Sequence, residues 1–208
     1  MSTLRRVGCS SLAVALLACT LQSQPKQKPA SSQPATTVPD PGAITNGVYG
    51  NTTFEFTYRI PFGWVERTKE MSEDSNDPKK SILLLVMFER PPGATSDTVN
   101  SAVVIAAEAA SSYPGLRNAE HYFGPLTELT KSKGLSVVNE PYDYSVGAKQ
   151  LVRGDFSKPL GNLTMHQSTL VMMEKGYVVS FTFIGGTQDE VDGLVEGLSF
   201  GSKMTKPK

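Results

Sequence analysis

The hydrophobic pattern is clearest in residues 163–184, LTMHQSTLVMMEKGYVVSFTFI, where two apolar-rich arms flank Lys175-Gly176. A glycine in the second turn position can take the positive φ that a two-residue hairpin turn needs, so this stretch predicts a β-hairpin. Its second arm alternates: Tyr177, Val179, Phe181 and Phe183 fall on one face, while Ser180 and Thr182 interrupt the other. Four large apolar side chains on one face require a cover. Two segments with helical spacing, 118–133 and 187–198, are the candidates.

The rest of the chain supplies further strands. Residues 53–60, TFEFTYRI, place Phe54, Phe56, Tyr58 and Ile60 on one side and Thr53, Glu55, Thr57 and Arg59 on the other. Pro61 ends that run and Phe62-Gly63-Trp64 forms the following turn. Residues 67–80 are polar, with Asp77-Pro78 as a turn, and predict an exposed loop. Residues 81–89, SILLLVMFE, are apolar on both faces, as in a strand covered on two sides. Residues 102–110 are ambiguous, since Val103, Val104 and Ile105 favour a strand and the alanines a helix; the strand is preferred. In 118–133, Tyr122, Leu126 and Leu129 make a helical stripe between an Asn118 cap and Gly134, and Gly124-Pro125 predicts a kink or a new helix start. Strands follow near 136–142 and 149–156. Thr187 and Glu190 form a capping box for the last helix, with Val191, Leu194, Val195 and Leu198 as its apolar stripe. Strands and helices in this order, without a βαβ rhythm, predict an α+β fold: a mainly antiparallel β-sheet flanked by helices. The apolar faces of 54–60 and 177–183 are expected to belong to one pleated layer, covered by the closing helix.

The N-terminal pattern is different in kind. Arg5 and Arg6 precede an apolar run from Val7 to Ala18, too short to span a bilayer comfortably and proportioned like the core of a signal peptide. The run ends in Leu16-Leu17-Ala18-Cys19, which resembles the bacterial lipobox, although Leu17 is bulkier than the usual occupant. That resemblance implies cleavage before Cys19, which becomes a lipidated, palmitate-bearing N-terminus; the alternative is an ordinary secretory signal cut near Ala18. Residues 19–45 then turn to Gln, Pro, Ser, Thr and Lys, a composition unable to offset the entropy of ordering. As a flexible tether of roughly 26 residues it would reach about 30 Å. The expected organisation is a signal peptide (1–18), a tether (19–45), one domain (46–203) and a short tail (204–208).

Charge and composition narrow the function. The 208 residues carry 20 basic and 20 acidic groups, so no overall field favours nucleic acid. Removal of 1–18 takes away Arg5 and Arg6 and no acid, leaving a net charge of −2. Both cysteines, Cys9 and Cys19, precede the domain, which therefore has no disulfide framework or cysteine metal site.

No phosphate-binding, dinucleotide, zinc-protease or nucleophile-elbow motif occurs, and no cofactor is implied. Gly185-Gly186-Thr187 could receive an anion at a helix N-terminus, but Asp189 and Glu190 already place negative charge there. Glu70, Glu73, Asp74 and Asp77 lack the turn glycine of a calcium loop. His121 is expected to be solvated. His166 could act with Ser168 or bind a metal. With a two-residue turn at Lys175-Gly176 it would share a sheet face with Phe181 and Phe183, and an odd loop would put it on the other face. Trp64 is expected to plug a core edge, with a ligand groove as the alternative.

Three segments together resemble the PsbP-like superfamily, the fold of a photosystem II extrinsic subunit, a Ran-binding nuclear import factor and several bacterial envelope lipoproteins. They are FTYRIPFGW (56–64), VGAKQLVRGDF (146–156) and YVVSFTFIGGTQDEVDGLVEGLSF (177–200). The resemblance implies an α/β/α sandwich and a non-enzymatic accessory or binding role. The expectation is a lipid-anchored protein of the bacterial cell envelope, on the outer-membrane or periplasmic side because Thr20 is not an acidic retention signal. Its domain would bind or scaffold an unknown envelope protein or a small ligand. A metal- or ligand-binding pocket near Trp64 or His166 is the alternative, and a hydrolase built on His166 and Ser168 a weaker one.

Overall fold

Two antiparallel sheets face each other across the aromatic side chains that the alternation picked out. The computed structural model describes residues 39–73, 81–91, 93–94 and 96–201. The expected signal peptide, Cys19, most of the expected tether, Asp74, Asp77, Pro78 and the expected tail lie outside the described residues. In chain order the elements are β1 (Ala43–Thr45), β2 (Val48–Asn51), β3 (Phe56–Arg59), β4 (Val65–Glu66), α1 (Thr68–Glu73), β5 (Ser81–Phe88) and β6 (Ala102–Ala109). They continue with α2 (Ala119–Ser132), β7 (Ser136–Val146), β8 (Lys149–Leu160), β9 (Leu163–Glu174), β10 (Tyr177–Gly185), α3 (Gln188–Val195) and β11 (Leu198–Phe200). A seven-stranded sheet runs β4-β5-β6-β10-β9-β8-β7, and a four-stranded sheet runs β1-β2-β3-β11. The fold is α+β.

The expected hairpin is β9–β10, with Glu174 opposite Tyr177 and both turn residues, Lys175 and Gly176, at positive φ (51° and 82°). This is the backbone that a right-twisted two-residue hairpin demands. Of residues 102–110, Ala102–Ala109 form a strand because β6 is hydrogen-bonded on both sides, to β5 and β10, where its alanines fit a doubly covered layer.

The expected single layer is corrected. Residues 54–60 and 177–183 do not share a pleated layer: β3 pairs with β2 and β11, and β10 with β6 and β9. The two apolar faces meet front to front instead, with Phe56 edge-on to Phe181 at 4.9 Å and Tyr58 tilted against Phe183 at 6.0 Å. Strand β3 starts late because Glu55 takes a positive φ of 57°, which interrupts the extended run after Phe54. Order also begins before residue 46, since β1 and β2 form a hairpin around Asn46-Gly47, a pair suited to that turn.

Helix α3 closes this core with Val191, Leu194 and Val195, capped by Thr187, whose hydroxyl accepts from the Glu190 N–H at 3.1 Å. The Glu190 carboxylate accepts from the Gly186 N–H rather than that of Thr187, and from the Ser101 hydroxyl. Leu198, expected at the end of this helix, begins β11.

On the opposite face of the large sheet, α2 buries Tyr122 and Phe123 against Phe156, Val171 and Val178. Its apolar stripe is rotated from the expected one, and Leu129 is exposed. The helix also runs unbroken through Gly124-Pro125. Both residues lie on its exposed side, where solvent can satisfy the carbonyl that Pro125 leaves unpaired.

Gly154 of β8 explains how closely α2 approaches: a Cβ there would stand 2.5 Å from the Phe123 ring. Gly154→Ala is therefore expected to cost about 1–3 kcal/mol by overpacking. Adding Phe123→Leu should recover part of this in urea unfolding; a neutral Gly154→Ala would refute the close contact.

Candidate functional site

Alternation along β8 and β9 places polar residues on the face that should be wholly apolar. Leu151, Arg153 and Asp155 share the core face of β8, and Ser168, Leu170 and Met172 that of β9. The register sets Arg153 opposite Leu170, and Asp155 opposite Ser168. Arg153, Asp155 and Ser168 are all buried.

Arg153 donates through Nε to Asp155 Oδ1 at 2.8 Å, and through Nη2 to Ser168 Oγ at 2.9 Å and to Asp192 Oδ1 of α3 at 2.5 Å. The Ser168 hydroxyl donates to Asp155 Oδ1 at 2.5 Å, while Asn139 and Tyr142 donate to Oδ2 at 3.0 and 3.1 Å. The guanidinium carbon lies 5.0 Å from the Tyr144 ring centroid, a cation–π distance.

Burial pushes the Asp155 carboxyl up, but hydrogen bonds from Ser168, Arg153 and Asn139 and the Arg153 charge outweigh it and hold the group below its ordinary value. Desolvation works against the Arg153 cation, and its bonds to Asp155 and Asp192 overcome this and raise its pKa. Tyr142 is pushed up to about 12, chiefly by burial and against the nearby Arg153 charge. The cluster is a hydrogen-bonded ion network that ties α3 to the sheet.

This network decides where Ser168 stands. The two-residue hairpin turn puts His166 on the same face as Ser168, Phe181 and Phe183, opposite Ser157 and Gly185. The Ser168 hydroxyl, however, is engaged by Asp155 and Arg153. His166 is half-buried. Trp64 closes a turn by donating its N–H to the Pro61 carbonyl at 3.4 Å, and its half-buried side chain packs against the main core. The structure does not bring Trp64 and His166 together in one site.

The feature shaped to receive something lies on the other side of the sheet, and neither Trp64 nor His166 lines it. A groove of about 830 Å³ runs between the 112–116 loop, the first two turns of α2 and the Glu140-Pro141 segment of β7. Tyr113, Leu116, Pro125 and Pro141 wall it, Gly124 and Phe123 contribute from α2, and Glu120, His121 and Glu140 supply polar groups. His121 is exposed, as expected. Below the groove the Tyr113 and Tyr122 hydroxyls both donate to the Glu108 carboxylate, and their rings meet edge-on at 5.2 Å. Burial and the neighbouring carboxylate push Tyr113 up to about 12 and raise Tyr122 further.

Sequence reasoning missed both features. Arg153 and Asp155 stand in the sequence as an i, i+2 charged pair between Leu151-Val152 and Phe156. For the groove the only signal was Gly124-Pro125 in mid-helix. Among the described residues no group of three or more His, Cys, Asp or Glu side chains could hold a metal, and no helix is long and apolar enough to cross a membrane.

No protein-family model and no curated protein sequence matches the chain. Among solved structures it is similar to a Pseudomonas aeruginosa protein of unknown function described as a putative regulator (11% identity, 73% of this chain, 92% of that one, TM-score 0.38). It is also similar to LpqN, involved in cell envelope biogenesis of Mycobacterium tuberculosis (13%, 77% and 85%, TM-score 0.37). A Mog1 variant matches at 12% identity over 69% of this chain and 79% of that one, TM-score 0.39. Likeness at this level transfers no function.

Proposed function

We propose that the chain is an exported, lipid-anchored protein of the bacterial cell envelope, whose PsbP-like domain is a non-catalytic binding or scaffolding module. The observation that carries the reading is the N-terminal order of features. Arg5-Arg6, the apolar run from Val7, Leu16-Leu17-Ala18-Cys19 and the polar tether succeed one another as an export signal, a lipid attachment point and a spacer would. The domain adds two supports. Its one buried serine beside a histidine strand position is committed to the Arg153–Asp155 network, which weakens the hydrolase alternative. Its groove of about 830 Å³ offers a surface for recognition.

The test is Cys19→Ala in a bacterial host fed an alkyne-tagged palmitate. The unaltered chain is expected to label and to partition with membranes; the variant should lose the label and enter the soluble periplasmic fraction. A variant that stays with membranes, or an unaltered chain that takes up no fatty acid, would sink the anchorage.

A further inference from the structure

We propose that the groove beside α2 binds a small amphipathic organic cation, an amine or guanidinium carried on an apolar body. This deepens the binding-module reading and rests on it, while standing apart from the anchorage at Cys19.

The size fits first. A volume of about 830 Å³ lies within the range of small-molecule sites, about 300–1,000 Å³. The walls are apolar, from Leu116, Pro125, Pro141 and the ring of the half-buried Tyr113.

The charge is one-sided. Glu120, in the first turn of α2, and Glu140, in β7, border the groove from different elements, and its lining includes no lysine or arginine. Among the described residues neither carboxylate has an ion-pair partner. An anionic ligand would meet both charges, whereas a cation would neutralise them and could also lie against the Tyr113 ring. The positive end of the α2 dipole opposes a cation only weakly, and Glu120, in the first turn, sits where it offsets that effect.

The backbone points the same way. Pro125 has no N–H, so the His121 carbonyl lacks its ordinary i+4 donor in the helix and remains an acceptor. Next to it, Gly124 has open space where a Cβ would be, so no neighbour forces a glycine there. An alanine would suit the helix better. Two poor helix formers thus stand side by side where α2 lines the groove, uncovering an acceptor that an N–H-bearing cation can use.

The test is a titration of the full-length chain carrying Cys19→Ser, followed in ¹H–¹⁵N spectra, with phenethylamine and with phenethyl alcohol as its uncharged counterpart. The amine is expected to give saturable shifts at the Glu120, His121 and Gly124 amides, and the alcohol a weaker response. Glu140→Gln should weaken the amine about two- to fivefold, the effect of one exposed charge pair, and leave the alcohol unchanged. Gly124→Leu should fill the groove and abolish the shifts while the thermal midpoint is kept or raised, which separates lost binding from lost folding. Equal responses to amine and alcohol, or an amine affinity indifferent to Glu140→Gln, would overturn the proposal. Shifts that appear only on raising protein concentration would mark a second copy as the occupant and overturn it too. None of these three outcomes touches the Cys19→Ala fractionation, so the two readings fail separately.

Discussion

Replacing Arg153 by methionine is expected to cost the domain about 3–5 kcal/mol of stability, the scale seen when a buried ion pair loses one partner. Methionine keeps much of the side-chain volume, so the loss is electrostatic rather than a cavity. Asp155 would remain buried with only the neutral donors Ser168, Asn139 and Tyr142 around its charge, and Asp192 would lose its link from α3 to the sheet. Adding Asp155→Asn should restore a substantial part, since an amide needs no counter-charge. Urea unfolding reads both variants, with a lowered midpoint and an unchanged slope as the signature. A single variant within about 1 kcal/mol of the parent would show that the pair is not a determinant of the fold.

The same network sets an acid limit. Because the folded-state pKa of Asp155 is depressed, its stabilisation is fully present above the ordinary value of 3.8 and is lost as pH falls from there through the lower folded value. Stability of the parent chain should therefore drop in this acid window. Asp155→Asn should be weaker at neutral pH and flatter below it.

Phe181→Ala is the second large effect, at about 3–5 kcal/mol. Phe181 is fully buried and stands between two rings of the smaller sheet, Phe56 at 4.9 Å and 83° and Phe200 at 5.9 Å and 80°. Such edge-on pairs contribute about 0.5–1.5 kcal/mol beyond the area they bury. The residue is one of the points at which the large sheet meets the small one, Phe183 against Tyr58 being another. Its removal should therefore also lower amide protection in β3 and β11, more than in β8 or β9. Uniform protection across both sheets would show that the small sheet is held by other contacts.

Much of the fold was legible. Period-two alternation identified β10 and its buried face, Lys175-Gly176 marked the hairpin turn, and Thr187 with Glu190 marked the start of α3. Each of these is a local signal, carried by residues close in sequence. The β1–β2 hairpin was not read, because its arms are short and follow a polar tract. The stripe of α2 was misplaced because Leu126 and Leu129 fit the helical period equally well, and only the sheet beneath decides which of them turns inward. Of the candidate site, His121 was named but its groove was not, since the 112–116 loop and β7 complete it from distant parts of the chain. Trp64 and His166 drew attention as rare residues, and rarity alone carries no geometry.

By itself the sequence determined which side chains had to leave water and where tight turns could form. Those follow from periodicity, backbone preference and composition, which act within a few residues. Only the tertiary structure decided that Phe56 and Phe181 meet across two sheets rather than along one. It likewise brought Asp192 to Arg153, and Glu140 to the edge of the groove beside α2. The reason is physical: an apolar face demands a partner without specifying which, and charges far apart in the chain acquire neighbours only when packing fixes their positions.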